Sequence, residues 1–262
     1  MDALERFKQT ILAEYPRLAE NDTFRFACRP GVPCFNACCA DVNIFLTPYD
    51  ILRLKNRLGL TSDEFLQKYT LVPIEEHQQY PVILLKMQDN EAKTCHFVTE
   101  KGCSVYEDRP WACRYYPLGL ASPREGEGGN EEFFFLLHEE VCRGFEEQDE
   151  WTVARWREDQ GVTPYDEFGR LFKDLTLHSY FRAQKQLDAG RMELFHMACY
   201  DLDTFRRFIR ESTFLQRFDL EPGQEERIMA DDEELLRFGF RWLLFALFGD
   251  KTIKVKPSAL RG

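Results

Sequence analysis

Hydrophobic positions change their pattern near the middle of the chain. Before Cys142 the apolar runs are short, and three of them predict strands: residues 42–46, 80–87 (YPVILLKM) and 133–137 (FFFLL). From about Trp151 onwards, apolar residues recur at helical spacing almost to the end of the chain. The pattern therefore predicts short strands in the N-terminal half and helices in the C-terminal half.

Start and stop signals define the predicted helices. Thr47-Pro48 and Gly59 bound one helix, and the capping pair Thr61 and Glu64 opens a second helix that ends near Tyr69. Further elements are predicted from the same signals: helices over residues 3–14, 163–190, 201–210 and 233–248, a mobile surface loop over 123–130, and a short strand over 252–255.

These elements predict an α+β fold. We expect an irregular, cysteine-rich metal-binding region with short strands over residues 1–148, packed on a mainly α-helical extension over residues 149–262. Because no linker-like segment separates the two regions, they are predicted to form one compact unit. The length of 262 residues suits such an arrangement.

Composition and charge narrow the class of protein. Hydrophobic residues make up 44% of the chain and charged residues 30%, as in ordinary globular proteins, and 23 Phe residues allow a large aromatic core. The net charge of −11 argues against binding to nucleic acid or to an anionic membrane. The first ten residues contain no signal-peptide pattern, and the most apolar stretch, residues 242–248, is too short to span a membrane. We therefore expect a cytosolic protein.

The cytosolic expectation changes how the nine cysteines are interpreted, because the cytosol disfavours disulfides. Cys199 lies in a helical pattern and is predicted to be a core residue. The other eight all precede residue 143, which favours metal or redox chemistry. The candidate metal ligands are Cys28, Cys34, Cys38, Cys39, Cys95, Cys103, Cys113 and Cys142.

The spacing of these cysteines excludes several known motifs. The order C-x5-C-x3-C-C, then C-x7-C-x9-C, contains no C-x-x-C pair and no ferredoxin run. If residues 34–39 form a helix, Cys34 and Cys38 share one face while Cys39 points about 100° away. A cluster, or two adjacent sites of four thiolates each, accommodates this divergence more readily than a single tetrahedral ion. His96 and His138 are weaker candidate ligands.

Arginines close to the cysteines are candidates for stabilising thiolate charge. Arg109 and Arg114 are predicted to donate to the ligand sulfurs, with Arg29 and Arg143 as weaker candidates. In the segment EDRPWACRYYP (residues 107–117), Asp108 and Pro117 are predicted to bound a short helix that carries Cys113. Trp111, Tyr115 and Tyr116 are expected to pack around the sulfurs.

Three segments carry a resemblance to a known family: FACRPGVPCFNACC (26–39), NIFLTPYDILRLKNRLGL (43–60) and TCHF…GCSVYEDRPWACRYYPLG (94–119). With Cys142 followed by Gly144, they resemble the YkgJ-like cysteine cluster proteins, also called the CxxCxxCC zinc- or iron-chelating domain, over about residues 24–145. The first loop departs from the family pattern, since C-x5-C-x3-C-C replaces two-residue gaps. The resemblance implies iron–sulfur or zinc binding; some members are labelled oxidoreductases, and a related group resembles flagellin lysine methylases.

Three functions are compatible with these observations. The first is an iron–sulfur protein with one or two clusters, of the [4Fe-4S] type, that acts in electron transfer or as an oxidoreductase with an unidentified redox or protein partner. The second is a module that zinc stabilises and that binds a partner protein. The third is a protein-modifying enzyme related to the lysine methylases, although no glycine loop for S-adenosylmethionine is present.

Overall fold

The computed structural model describes residues 15–73, 78–121 and 132–257. The helix predicted for residues 3–14 and the loop predicted for residues 123–130 lie outside the described residues. Short strands in small sheets concentrate in the N-terminal half, and helices dominate the C-terminal half. The fold is α+β, as predicted.

The described residues form the following elements in chain order. The strands are β1 (Thr23–Arg25), β2 (Phe45–Leu46), β3 (Thr70–Leu71), β4 (Ile83–Leu85), β5 (Val98–Thr99), β6 (Gly102–Cys103), β7 (Leu118–Ala121), β8 (Phe133–Leu136), β9 (Glu150–Thr152), β10 (Phe218–Asp219) and β11 (Lys254–Val255). The helices are α1 (Pro48–Leu58), α2 (Ser62–Tyr69), α3 (Trp111–Tyr115), α4 (Val153–Asp159), α5 (Thr163–Thr176), α6 (Ser179–Arg182), α7 (Ala189–Cys199), α8 (Leu202–Glu211), α9 (Phe214–Arg217), α10 (Gln224–Ala230) and α11 (Asp232–Phe248). Turns of 3-10 helix occur at Ala37–Cys39, Tyr106–Asp108 and Gly144–Glu146.

The chain divides into two compact units whose segments alternate along the sequence. The cysteine unit contains Met1–Val42, Asp89–Ser104 and Trp111–Thr163. The helical unit contains Asn43–Gln88, Val105–Pro110 and Pro164–Gly262. The boundary between residues 148 and 149 stays a prediction.

The cysteine unit contains three antiparallel strand pairs and an aromatic core. These pairs are β1 with β9, β5 with β6, and β7 with β8. Phe26 is 1% exposed, and its ring packs edge-on against the Trp156 ring at 5.5 Å. Tyr115 and Leu118 belong to the same buried cluster. This packing fixes α3 and the strand that follows it, and α3 carries Cys113.

The helical unit packs its helices around α11, against which α7, α8 and α10 lie. Gly239 allows the closest approach, because a Cβ atom there would come within 2.7 Å of the Ala198 carbonyl oxygen of α7. The rings of Phe205 and Trp242 lie 5.3 Å apart in the same core. The expected aromatic core is thus present. A three-stranded antiparallel sheet, in the order β2-β4-β3, belongs to the same unit.

A buried group of charges connects four helices of the helical unit. Lys55 of α1 is 4% exposed, and its Nζ lies 2.8 Å from Asp232 and 3.6 Å from Asp203. Arg206 pairs with the same two carboxylates. The Asp203 carboxylate also accepts the backbone N–H and the hydroxyl of Ser62. Helices α1, α2, α8 and α11 are therefore joined by one network in which each buried charge has a partner.

Helix ends that depend on local capping agree with the sequence-based prediction. Both Thr47 and Thr61 form capping boxes, with Asp50 and Glu64 respectively, and Gly59 ends α1 in the left-handed conformation. The prediction of one helix over residues 163–190 is wrong, because α5 ends at Thr176. There the Thr176 hydroxyl donates to the Phe172 carbonyl, and the His178 ring accepts the backbone N–H of Tyr180 to start α6.

Among the described residues, no helix combines the length and the apolar character that crossing a membrane requires.

Candidate metal centre

All eight candidate ligand cysteines belong to the cysteine unit, although they come from separate segments of the chain. Six of them are partly buried, whereas Cys28 and Cys113 are exposed. Cys199 lies in the helical unit and is fully buried, which raises the pKa of its thiol well above the ordinary value. The interpretation of Cys199 as a core residue is confirmed.

Strand β1 brings Cys28 close to the segment that follows Cys142. Just after the strand, the backbone N–H of Ala27 donates a 3.0 Å hydrogen bond to the carbonyl of Gly144. A Cβ atom at Gly144 would lie 2.6 Å from the Ala27 carbonyl oxygen and 2.6 Å from the Phe26 ring. Only glycine permits this approach, so Gly144 couples the first and last cysteine segments.

A reversal of the chain at Asn36 arranges the next three cysteines. Asn36 has φ of 71°, in the left-handed region, and its side-chain amide donates a 2.9 Å hydrogen bond to the Thr99 carbonyl. The 3-10 turn Ala37–Cys39 follows. A helix through residues 34–39 is therefore not formed, so the condition under which Cys34 and Cys38 would share a helical face is not met.

The neighbouring thiols Cys38 and Cys39 interact with each other. A hydrogen bond from Cys39 lowers the pKa of Cys38 to about 7, and the same hydrogen bond raises the pKa of Cys39. Burial and the nearby thiols of Cys113 and Cys95 raise the Cys39 pKa further. Three cysteines, Cys38, Cys95 and Cys113, are therefore within electrostatic reach of Cys39.

Backbone pairing brings the second cysteine segment to the first. The N–H of Cys95 donates a 2.8 Å hydrogen bond to the carbonyl of Cys39. Burial raises the pKa of Cys95, with a further contribution from Cys103, while the backbone N–H of Phe97 donates to its sulfur at 3.5 Å. In the β5–β6 hairpin, Cys103 lies opposite Val98. Cys95 lies just before β5, and Cys103 is the last residue of β6.

Helix α3 supplies Cys113. Its neighbour Arg114 is 6% exposed and donates a 2.6 Å hydrogen bond to the carbonyl of Gln160, at the end of α4. The rings of Trp111 and Tyr115 lie 4.4 Å apart on the same short helix. The residue before this helix is Pro110, and Asp108 is not its cap, because Asp108 lies in a 3-10 turn of the helical unit and accepts from Arg53.

The fourth segment places Cys142 beside the first. The backbone N–H of Arg143 donates a 3.0 Å hydrogen bond to the sulfur of Cys34. The Tyr116 phenol interacts with the Cys142 thiol, and burial together with this interaction raises the Tyr116 pKa. The backbone donor of Arg143 is a contact to sulfur that sequence reasoning missed. From the sequence, Tyr116 is among the residues expected to pack around the sulfurs.

The arginine side chains differ in their surroundings. Arg29 pairs with Glu147 and Asp149, and Arg143 pairs with Glu146, all at the surface. Arg109 belongs to the helical unit, where its guanidinium stacks 3.7 Å from the centre of the Tyr106 ring and donates to the Tyr106 carbonyl. Donation from Arg109 or Arg114 to the ligand sulfurs stays a prediction.

A separate polar cavity of about 600 Å³ lies in the helical unit. Its charged lining includes Arg53, Arg206, Asp108 and Asp232. Arg53 pairs with Asp108, and Arg206 pairs with Asp232, so these charges neutralise one another across the cavity wall.

The donor set fits a thiophilic metal. Cysteine thiolates are the ligands that zinc and iron–sulfur clusters share, and the cysteine unit supplies eight of them from four neighbouring segments. Within residues 15–73, 78–121 and 132–257, no group of three or more Cys, His, Asp or Glu side chains is arranged to hold a metal ion. The structure therefore shows main-chain contacts between the cysteine segments, and the assignment of the eight cysteines as ligands stays a prediction.

Comparisons with known proteins agree with this donor set. No curated protein and no solved structure gives a significant match to the chain. One family model matches residues 27–151, a range that includes all eight candidate ligands, and its description is "Putative zinc- or iron-chelating domain". The resemblance inferred from the cysteine motifs is thereby confirmed. Residues 27–151, just under half of this chain, match the CxxCxxCC family of zinc- or iron-chelating domains.

Proposed function

We propose that the cysteine unit carries an iron–sulfur centre, held by the thiolates of the eight N-terminal cysteines, and that the protein acts in electron transfer or in a redox reaction in the cytosol. The observation that carries this proposal is the gathering of four cysteine segments in one compact unit. Two of its links are the bond from Cys95 to Cys39 and the bond from Arg143 to the sulfur of Cys34.

The surroundings of the sulfurs support iron–sulfur chemistry in particular. Backbone N–H groups donate to the sulfurs of Cys34 and Cys95, and such hydrogen bonds set the reduction potentials of iron–sulfur clusters. Phe26, Tyr116 and Phe145 form an aromatic wall next to Cys142. An apolar wall limits access of water, which is a second determinant of potential.

A bound iron–sulfur cluster would supply an acceptor and donor of single electrons, which zinc cannot do because it has no redox chemistry in proteins. The chain's own contribution is to hold the thiolates, to stabilise their charge with N–H donors and to shield them. We propose that the eight thiolates hold one or two clusters of the [4Fe-4S] type.

Purification of the full chain without oxygen tests this function. We expect a brown protein with iron and acid-labile sulfide in similar amounts, and a paramagnetic signal after reduction with dithionite. Cys38→Ala and Cys113→Ala should lose most of the iron, whereas the control Cys199→Ala, which removes a core thiol of the helical unit, should keep it. A colourless protein with stoichiometric zinc and no sulfide would instead indicate a structural zinc module.

The same measurements test the ligand assignment separately. If the wild-type protein contains iron and sulfide but both Cys38→Ala and Cys113→Ala retain all of it, those two cysteines are not ligands. Circular dichroism of each variant shows whether lost metal reflects a lost ligand or a lost fold.

A further inference from the structure

The polar cavity of the helical unit contains charges that its own ion pairs do not use. Three arginines and four carboxylates line this cavity of about 600 Å³. Two of the arginines pair with carboxylates of the wall, as Arg53 does with Asp108. The charges left over belong to Arg57, Asp231 and Glu233.

Arg57 is the cation of the cavity that can bind a ligand. Its side chain is 49% exposed, and its Nε lies 3.9 Å from Asp108, which is too long for a hydrogen bond. Within the described part of the chain, its guanidinium donates no hydrogen bond. A guanidinium presents a planar fork of N–H groups that matches a carboxylate, so Arg57 suits an anionic group in the cavity.

Glu233 is the anion of the cavity that can bind a ligand. One of its carboxylate oxygens accepts the hydroxyl of Tyr49 at 2.7 Å. Among residues 15–73, 78–121 and 132–257, no lysine or arginine forms an ion pair with Glu233 or with Asp231. Asp231 caps α11 by accepting two backbone N–H groups, which compensate part of its charge. Glu233 therefore suits a cationic group.

One side of α1 separates the two available charges. Tyr49, Arg53 and Arg57 follow at intervals of four residues, so they lie along the same side of this helix. Arg53 connects the two ends, because it donates to the Tyr49 hydroxyl at 3.4 Å and to the Asp108 carboxylate at 2.9 Å. Tyr49 contacts Glu233, whereas Arg57 lies two turns, about 12 Å, further along the helix axis.

The remaining lining is suited to a short apolar chain between two charged ends. Leu52, Met229 and Ala230 supply apolar surface in the cavity. Its volume is within the range of about 300–1,000 Å³ that is typical of small-molecule sites. A ligand of one charge sign would leave either Arg57 or Glu233 unpaired, whereas a ligand with both signs pairs with both.

We propose that this cavity binds a small zwitterion whose carboxylate pairs with Arg57 and whose ammonium group pairs with Glu233. The two charges of the ligand stand at opposite ends of a short chain, as in an ω-amino acid or at the termini of a short peptide. This site lies in the helical unit and is independent of the proposed metal centre.

The test is isothermal titration calorimetry of the full chain with 6-aminohexanoate at low ionic strength. Hexanoate and hexylamine, which each carry one of the two charges, are the matched probes. We expect a Kd of about 1 mM or tighter for the zwitterion, and an affinity lower by about 10-fold or more for either single-charge probe. Trialanine, with its charges at the two termini, distinguishes a peptide from an amino acid, because the true ligand class should bind more tightly.

Two variants assign the ends of the ligand. Arg57→Met should lower the affinity for 6-aminohexanoate to that of hexylamine in the wild-type protein. Glu233→Gln keeps an acceptor for the Tyr49 hydroxyl and should lower the affinity to that of hexanoate. The controls Arg210→Met and Glu211→Gln each remove one member of an exposed pair at the end of α8 and should leave the affinity unchanged.

Three results would overturn the inference. The first is equal affinity for 6-aminohexanoate, hexanoate and hexylamine. The second is no binding of 6-aminohexanoate or trialanine up to about 10 mM, either by heat or by line broadening in the NMR spectrum of the ligand. The third is wild-type affinity in Arg57→Met, whose fold should be intact because the replaced side chain is half exposed and without a hydrogen bond in the described residues.

Discussion

The backbone N–H of Cys95 donates a 2.8 Å hydrogen bond to the carbonyl oxygen of Cys39. Just beyond it, Ala40 and Thr94 form an antiparallel bridge, and Lys93 pairs with Asp41 at 3.0 Å. Two cysteine segments are thus held together by main-chain contacts and by an exposed ion pair. Exposed pairs contribute little to stability, so we expect a shared metal to strengthen the connection that these main-chain contacts make.

Removal of the metal should therefore destabilise the protein. We expect the melting temperature to fall by at least about 10 °C, because 1 kcal/mol shifts it by about 2–4 °C in a chain of this size and structural metals contribute several kcal/mol. Calorimetry before and after treatment with a reductant and a chelator measures the change. Addition of the chelator already saturated with metal is the control, and an unchanged melting temperature would contradict a structural contribution of the metal.

Gly144→Ala should weaken the contact between the first and last cysteine segments. The new Cβ would meet the Ala27 carbonyl and the Phe26 ring at 2.6 Å, and overpacking of this kind costs about 1–3 kcal/mol. Urea unfolding measures this loss of folding stability. Gly169→Ala, within α5, is the control, because no described atom beyond its own helix and chain neighbours lies within 4 Å of the added Cβ.

The control should not be destabilised, since alanine is favoured over glycine inside a helix by about 1 kcal/mol. Equal stability of Gly144→Ala and wild type would show that the Ala27 and Gly144 segments separate easily. Metal content of Gly144→Ala should fall along with its stability, because Cys28 and Cys142 lie on the two separated segments.

Arg114→Ala tests whether the hydrogen bond from Arg114 to the Gln160 carbonyl positions the helix that carries Cys113. The Arg114 guanidinium is buried and ties α3 to the Gln160 carbonyl, so its loss should free the helix that carries Cys113 and lower metal affinity by about 10- to 100-fold. Arg29→Ala is the control, since Arg29 also follows a cysteine but pairs with Glu147 and Asp149 at the surface. Chelator competition measures the metal affinity of both variants. Equal affinities of Arg114→Ala and Arg29→Ala would show that Arg114 supports only the fold.

Features with a local cause were predicted well from the sequence. The capping residues Thr47 and Thr61 define the starts of two helices because each cap bonds to a backbone N–H three residues later. The identity of Cys199 as a core residue follows from helical spacing. The cysteine count alone indicated metal chemistry, which the family match bears out at the level of zinc or iron chelation.

Features with a distant cause were not predictable. The left-handed conformation of Asn36 is supported by a bond to Thr99, and no local signal reveals that partner. The break after Thr176 was missed because the apolar spacing continues across it to Phe181, which is also buried. The donor from Arg143 to the Cys34 sulfur is a backbone group, and side-chain identity carries no information about it.

The charge network around Lys55 predicts the acid sensitivity of the helical unit. Burial alone would raise the pKa values of Asp203 and Asp232. Hydrogen bonds from Ser62 and the charges of Lys55 and Arg206 lower the pKa of Asp203 below the ordinary value. Hydrogen bonds from Lys55 and Arg206, together with their charges, lower that of Asp232. The folded protein therefore keeps these carboxylates ionised at a pH where the unfolded chain, with Asp pKa values of about 3.9, is protonated. Their contribution to stability is complete above about pH 5 and is lost as the pH falls through the folded-state pKa values.

Lys55→Met should remove about 3 kcal/mol of stability at neutral pH, because it leaves two partly buried carboxylates with one arginine between them. It should also reduce the loss of stability on acidification, since Asp203 and Asp232 then have higher folded-state pKa values. Urea unfolding at several values between pH 3 and 7 measures both effects. Lys93→Met breaks only an exposed pair and should cost about 0.5 kcal/mol or less. Parallel pH profiles for Lys55→Met and wild type would show that Lys55 does not maintain the ionised state of these two carboxylates.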